Sequence, residues 1–207
     1  MADPLDLLSL DDGKAAINMD SSNVEHNDEL ARHITAISRI VDEACGPVVI
    51  RTITNEVHHL EGAASAVYLD HYPVQSVTTV SEFTGGAVTA LSAVAFGAVT
   101  SGYYADLRAG VVARRMGGQP YAWPASAAVQ VTYVAGRYAT TAAVDARFAA
   151  AAAAILRRLW KREAGTWAQS STFFEDGDNQ FGSGFFRVAR PIIEEMLAGE
   201  LKGRRIG

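Results

Sequence analysis

Residues 141–163 read TAAVDARFAAAAAAILRRLWKRE, and the reading of this stretch decides the fold. Six consecutive alanines, Ala149 to Ala154, carry the highest intrinsic helix propensity of any residue. Phe148, Ala152, Ile155 and Leu159 recur at steps of three or four and so share one face. Thr141 is placed to cap the N-terminus, with Asp145 in a first turn that favours an anion and Gly165 just past the end. Arg157, Arg158, Lys161 and Arg162 bring cations to the last turns, where the helix dipole suits them. The alanines leave a slim middle that another backbone can approach. Either this is a central helix packed beneath a sheet, or Ala152 and its neighbours meet copies of the same helix in an assembly.

Upstream of it the period is two. VVIRTITNEV, AVYL, SVTTVSEF, VVARRM and AVQVTYV are rich in valine, threonine and aromatics, and Gly or Pro clusters separate them. Val129, Val131 and Tyr133 alternate with Gln130 and Thr132, the pattern of a half-buried strand. Gly85-Gly86 and Arg108-Ala109-Gly110 sit where hairpin turns are needed. Residues 48–137 therefore read as an antiparallel β region.

Further upstream, Asn27 is placed to cap a helix with Asp28 and Glu29 in its first turn. Leu30, Ile34, Ile37, Ile40, Val41 and Ala44 keep helical spacing, and Gly46-Pro47 stops it. Ser9 and Asp12 form a capping box that opens a short helix ending near Ile17. At the other end, Pro191 reads as the first residue of a last helix with Ile193, Leu197 and Leu201 on one face. The fold class is α+β: a helical domain from residues 1–47 and 138–207, interrupted by the β region.

Composition narrows the function. With 207 residues, 49% of them hydrophobic and 20% charged, the chain reads as an ordinary globular protein. The net charge of −5 opposes a protein that grips nucleic acid but suits one past which nucleic acid slides. No apolar run is long enough to span a bilayer, and the acidic MADPLDLL start lacks the pattern of a signal peptide. The single Cys45, on the last turn of an amphipathic helix, reads as a buried inert thiol.

Catalytic chemistry finds little to work with. His58 and His59 are adjacent in a strand, so they point to opposite faces and cannot share one ion. Asp70 and His71 meet the same objection. GxSxG, P-loop and dinucleotide fingerprints are absent from the sequence. Arg114-Arg115 and Gly203-Arg204-Arg205 are isolated basic spots, and the helix cations read as a solvated flank. No catalytic residue, metal or cofactor is expected.

Residues 166–186 are different in kind. Trp167, Phe173, Phe174, Phe181, Phe185 and Phe186 stand among Gly177, Gly182 and Gly184 and the acids Glu175, Asp176 and Asp178. A solvated linker would not carry six aromatics, and a buried segment would not carry such close acids. The stretch reads as an arm whose aromatics lie on a neighbouring subunit or partner; the alternative is a hairpin folded back on the β region.

Three stretches together resemble the head–tail connector (adaptor) family of tailed bacteriophages. They are LSLDDGKAAINMD at 8–20, Asn27-Asp28-Glu29-Leu30 with Ile34, Ile37 and the closing Cys45-Gly46-Pro47, and YPVQSVTTV at 72–80. The order of elements is similar too: two helices, a β insert, a long Ala-rich helix and a Pro-led final helix. Gly13, where the family often has a better helix former, and the long aromatic arm are departures. The resemblance implies a non-enzymatic virion part located at the neck and made in the host cytoplasm. Such proteins form a homo-oligomeric ring, usually of twelve copies, beneath the portal protein. They extend the DNA channel without sequence-specific binding and dock stopper or tail proteins, with no membrane involved. The competing readings are another neck protein (a stopper or tail-end closure protein), a small α+β ligand-binding domain, or a DNA-binding regulator.

Overall fold

The computed structural model describes residues 3–60, 62, 64–166 and 184–201. The fold is α+β, divided into two compact units. Met1–Val49 with Tyr138–Gly207 forms the helical unit, and Ile50–Arg137 forms the strand unit.

In the helical unit, α1 (Leu10–Ala16) opens on the expected box: Ser9 Oγ accepts the Asp12 N–H at 3.1 Å and donates to its carboxylate at 2.6 Å. Gly13 has a packing reason. A Cβ there would lie 2.7 Å from Ile34 Cδ1 and 3.6 Å from Leu156 Cδ2, so its absence lets α1 settle against both neighbours. The α2 helix (Asn27–Cys45) buries Leu30, Ile34, Ile37, Ile40 and Val41 and ends at Gly46 in the left-handed region. Its cap differs from expectation. His26 holds the cap position, while Asn27 lies inside the first turn with its side-chain oxygen buried and without a hydrogen bond. Cys45 is buried as expected.

The chain preceding α1 is fixed to α2. Leu7 N–H donates to Ser38 Oγ at 2.9 Å, and Asp6 accepts from Thr35 Oγ1 at 3.0 Å. Burial drives the Asp6 carboxyl above its ordinary pKa, outweighing the hydrogen bonds it accepts from the Asp3 N–H and Thr35 Oγ1.

The long helix α3 (Ala146–Thr166) starts later than its sequence suggests. Thr141 opens a separate 3-10 turn and donates to Pro4 O at 2.9 Å, whereas Asp145 Oδ1 accepts the Arg147 N–H at 2.9 Å and does the capping. Gly165 lies inside the helix. Phe148, Ala152, Ile155 and Leu159 are buried on the expected face, joined by Ala151 and Leu156. The partners are α1, α2 and α4 (Gly184–Met196), not a sheet. Arg157, Arg158 and Lys161 are exposed.

Pro191 does not begin α4; it lies inside it. It removes one intrahelical N–H, yet burial of Ala189, Ile192, Ile193 and Leu197 in the helical core holds the helix, so packing overrides the breaker. Leu201, expected on the same face, is exposed.

The strand unit contains β1 (Arg51–His59), β2 (Ala66–Tyr68), β3 (Val74–Thr84), β4 (Ala87–Leu91), β5 (Gly102–Asp106), β6 (Val111–Met116), β7 (Gln119–Pro120) and β8 (Ala128–Ala135). One antiparallel sheet has the order β1-β8-β3-β4; the other has β2-β6-β5, with β7 on β6. Val129, Val131 and Tyr133 of β8 turn inward, as their alternation requires, and share a core with Val67, Tyr103, Val112 and Trp123. Gly85 and Gly86, both at positive φ, make the two-residue β3–β4 turn. Val48, expected in the first strand, belongs instead to the helical core.

Replacing Ala152 by leucine inserts bulk where 1% of the residue is exposed. Ala152→Leu is expected to lower folding stability by about 1–3 kcal/mol, read as a lower urea midpoint at unchanged slope. An unchanged midpoint would show that the middle of α3 is not packed against its own chain.

Candidate functional site

The densest polar chemistry among the described residues begins with an irregularity in β1. Asn55 adopts a left-handed backbone (φ 57), and the pairing with β8 slips between Ile53 and Glu56. Asn55 N–H donates to Thr132 Oγ1 at 3.1 Å, fixing the bulge. One extra residue flips strand parity, so Glu56 and His58 turn to the inner face that Ile53 occupied. His59 is left exposed, and the two histidines do point to opposite faces.

Glu56 then collects donors from three places. His58 Nε2 lies 2.8 Å from Oε1, and the Asp70 N–H donates to the same oxygen at 3.0 Å. His71 Nδ1 lies 2.9 Å from Oε2, and the Tyr133 hydroxyl donates to it at 2.5 Å. Burial of the carboxylate acts to raise its pKa. The hydrogen bonds from His58, His71, Tyr133 and the Asp70 amide outweigh that and hold it far below the usual range. Burial, then the Glu56 carboxylate, push the Tyr133 phenol well above its ordinary value. Both carboxylate oxygens are occupied, so the arrangement ties β1, β8 and the segment before β3 together. Among the described residues no group of three or more His, Cys, Asp or Glu could hold a metal ion, and no helix is long and apolar enough to cross a membrane.

The Arg114-Arg115 spot is divided by β6. Arg114 Nε lies 2.8 Å from the buried Glu82 carboxylate, with its guanidinium over Tyr121 and Trp123. Arg115 lies over Phe96 and Tyr104 at 4.8 and 5.6 Å. The two cations therefore do not make one basic patch. Outside these clusters the strand unit exposes large apolar side chains, among them Val57, Tyr68, Val88 and Val99.

Of the contact residues expected from sequence, Ala152 is buried in the core of its own helical unit. Phe185 and Phe186 fall in the first turn of α4, so the stretch read as an arm over residues 166–186 overlaps the end of α3 at Thr166 and the start of α4 at 184–186. Trp167, Phe173, Phe174 and Phe181 lie outside the described residues. Sequence reasoning missed Glu56 and Tyr133, which lie 77 positions apart and meet only because β1 pairs with β8. It also passed over Val88, although the Gly85-Gly86 turn followed by AVTAL signals a hairpin strand.

No family model matches the chain, and no curated protein matches it. Solved structures do. A chain of the virion of a native gene transfer agent particle is 16% identical, with a TM-score of 0.59, over 100% of this chain and 95% of that one. A chain of the neck of an empty gene transfer agent particle, computed with C6 symmetry, is 14% identical, with a TM-score of 0.52, over 90% and 89%. At these identities the likeness is one of fold.

The sign of the Glu56 effect on stability follows from its lowered pKa. The stabilisation is present above the unfolded carboxylate value of about 4.3 and is lost as pH falls below it toward the folded value. Glu56→Gln is expected to cost about 1–3 kcal/mol at pH 7, from partners left poorly satisfied. The gap between variant and wild type in urea unfolding should narrow between pH 5 and pH 3, two points either side of that value. A gap independent of pH would show that the carboxylate charge is not what the cluster stabilises.

Proposed function

We propose that this protein is a structural component of the neck of a phage-like particle. Within the neck it is the head–tail connector, or adaptor, a ring beneath the portal that extends the DNA channel and docks stopper or tail proteins. The carrying observation is a fold shared along almost the whole of both chains with a protein of a gene transfer agent neck. The C6 symmetry of that neck suits a ring. The sequence motifs that resemble the adaptor family agree with it: the capping box starts α1, and Cys45-Gly46-Pro47 ends α2. The net charge of −5 suits a channel wall along which DNA moves without sticking, since cationic walls bind phosphates strongly. No reaction is assigned to the chain, because the buried carboxylate of Glu56 has donors on both oxygens.

Residues 167–183, with Phe185 and Phe186, supply the contact to a neighbouring subunit or the portal. Their aromatics are the anchors, and Glu175, Asp176 and Asp178 face water or the channel. Co-sedimentation with a portal ring of the same particle type tests the reading, with binding expected. A protein that stays monomeric and unbound at every concentration would contradict it. Phe173→Ser with Phe174→Ser should weaken portal or subunit association about tenfold or more, since burying one such side chain is worth about 1.5–3 kcal/mol. Melting of the free subunit should be unchanged.

A further inference from the structure

Among the described residues, the β1-β8-β3-β4 sheet ends in two strands with no partner strand on their outer sides, β1 at one margin and β4 at the other. Every neighbouring pair in that sheet is antiparallel, so β1 and β4 run in opposite directions. The β4 strand reads AVTAL, with neither charge nor proline, the devices that usually blunt an edge. Residues 87–90 are exposed.

Hydrogen-bond alternation fixes which residues address the open sides. Thr84 and Ala87 flank the two-residue turn as a bonded pair, so Val88 and Ala90 turn their backbone groups away from β3. At the other margin, Leu60 N–H donates to Ala127 O at 3.0 Å, so Val57 and His59 turn theirs away from β8. Side-chain parity agrees. Val57 lies opposite Gln130, Gln130 opposite Ser81, and Ser81 opposite Ala90, which places Val57, Ala90 and Val88 on one face. That face is away from the core: Val57 is 46% and Val88 61% exposed. Each open edge thus carries one large exposed aliphatic side chain, on the same face, beside outward backbone donors and acceptors.

We propose that β4 of one copy pairs antiparallel with β1 of the next, Val88 lying against Val57 of the partner subunit, so that the sheet continues from copy to copy. The bulge at Asn55 confines the pairing on β1 to residues 56–59, and with Val88 opposite Val57 these face Thr89, Val88, Ala87 and Gly86, the turn end of the β3–β4 hairpin. The uncharged β4 strand opposes no like charge. Each copy gives one edge and receives on the other, the head-to-tail contact that closes a ring. The inference rests on the ring reading and names one interface within it.

Cysteines test it, because Cys45 is buried and does not compete. Directly opposed residues across antiparallel strands have Cβ atoms about 4.5–5.5 Å apart, within reach of a short thiol-specific crosslinker. Val57→Cys with Val88→Cys should give a ladder of covalent oligomers on a denaturing gel, and neither single variant should. Val88→Pro should abolish assembly yet leave a folded subunit, since an edge strand tolerates proline where the N–H faces outward. Sedimentation of the wild type runs in parallel. Rings without a ladder overturn the pairing and leave the ring reading intact, whereas neither rings nor a ladder overturn both. Crosslinking by Val88→Cys alone would mean that β4 meets β4, which also overturns the proposal.

Discussion

The helical unit exists only if two distant stretches of chain are brought together. Its core takes Leu30, Ile34 and Val41 from one side of the strand unit and Phe148, Ile155, Leu156 and Ile193 from the other. Closing an excursion as long as Ile50–Arg137 costs of order 4 kcal/mol in chain entropy. The structure meets that cost at the point of exit. Gly46-Pro47 stops α2, Asp42 Oδ1 accepts the Val48 N–H at 2.8 Å, and Val48 O accepts the N–H of the returning Tyr138 at 3.0 Å. Tyr138 then packs edge-on against Phe148, at the start of α3. The strand unit has a core of its own, so the excursion is itself ordered by burial.

Charge is handled in two ways in the strand unit. Glu56 and Glu82 are taken out of water but given partners, the first by hydrogen bonds on both oxygens and the second by the opposite charge of Arg114, whose Nε lies 2.8 Å away outside hydrogen-bonding geometry. Such groups add less to net stability than their geometry suggests, because desolvation offsets the attraction. What they do is fix one register, since a slip of β1 by one residue would bury His59 and expel Glu56. The margins of the β1-β8-β3-β4 sheet, by contrast, expose Val57 and Val88.

Local signals in the sequence were sufficient for α1, for the end of α2 and for the hairpin turns. Ser9 with Asp12, Gly46-Pro47 and Gly85-Gly86 each act within a few residues, and each behaves as its chemistry requires. The face of α3 was legible because helical period and burial agree from Phe148 to Leu159. The starts of α3 and α4 were not. Thr141 and Asp145 are both good caps, and only the intervening 3-10 turn decides between them. Pro191 ordinarily opens a helix, but burial of Ala189 and Ile192 carries α4 through it. The Glu56 cluster was invisible because it depends on a bulge and on pairing across 77 positions, neither of which has a local signature. The sites expected at Trp167, Phe173, Phe174 and Phe181 remain proposals about contacts between chains.

Electron microscopy of the purified protein, alone and mixed with a portal ring, tests the neck reading most directly. Closed rings of one size are expected, with a central opening that admits a DNA duplex and with the portal stacked coaxially on them. Isolated subunits in both preparations, or open filaments that ignore the portal, would contradict it.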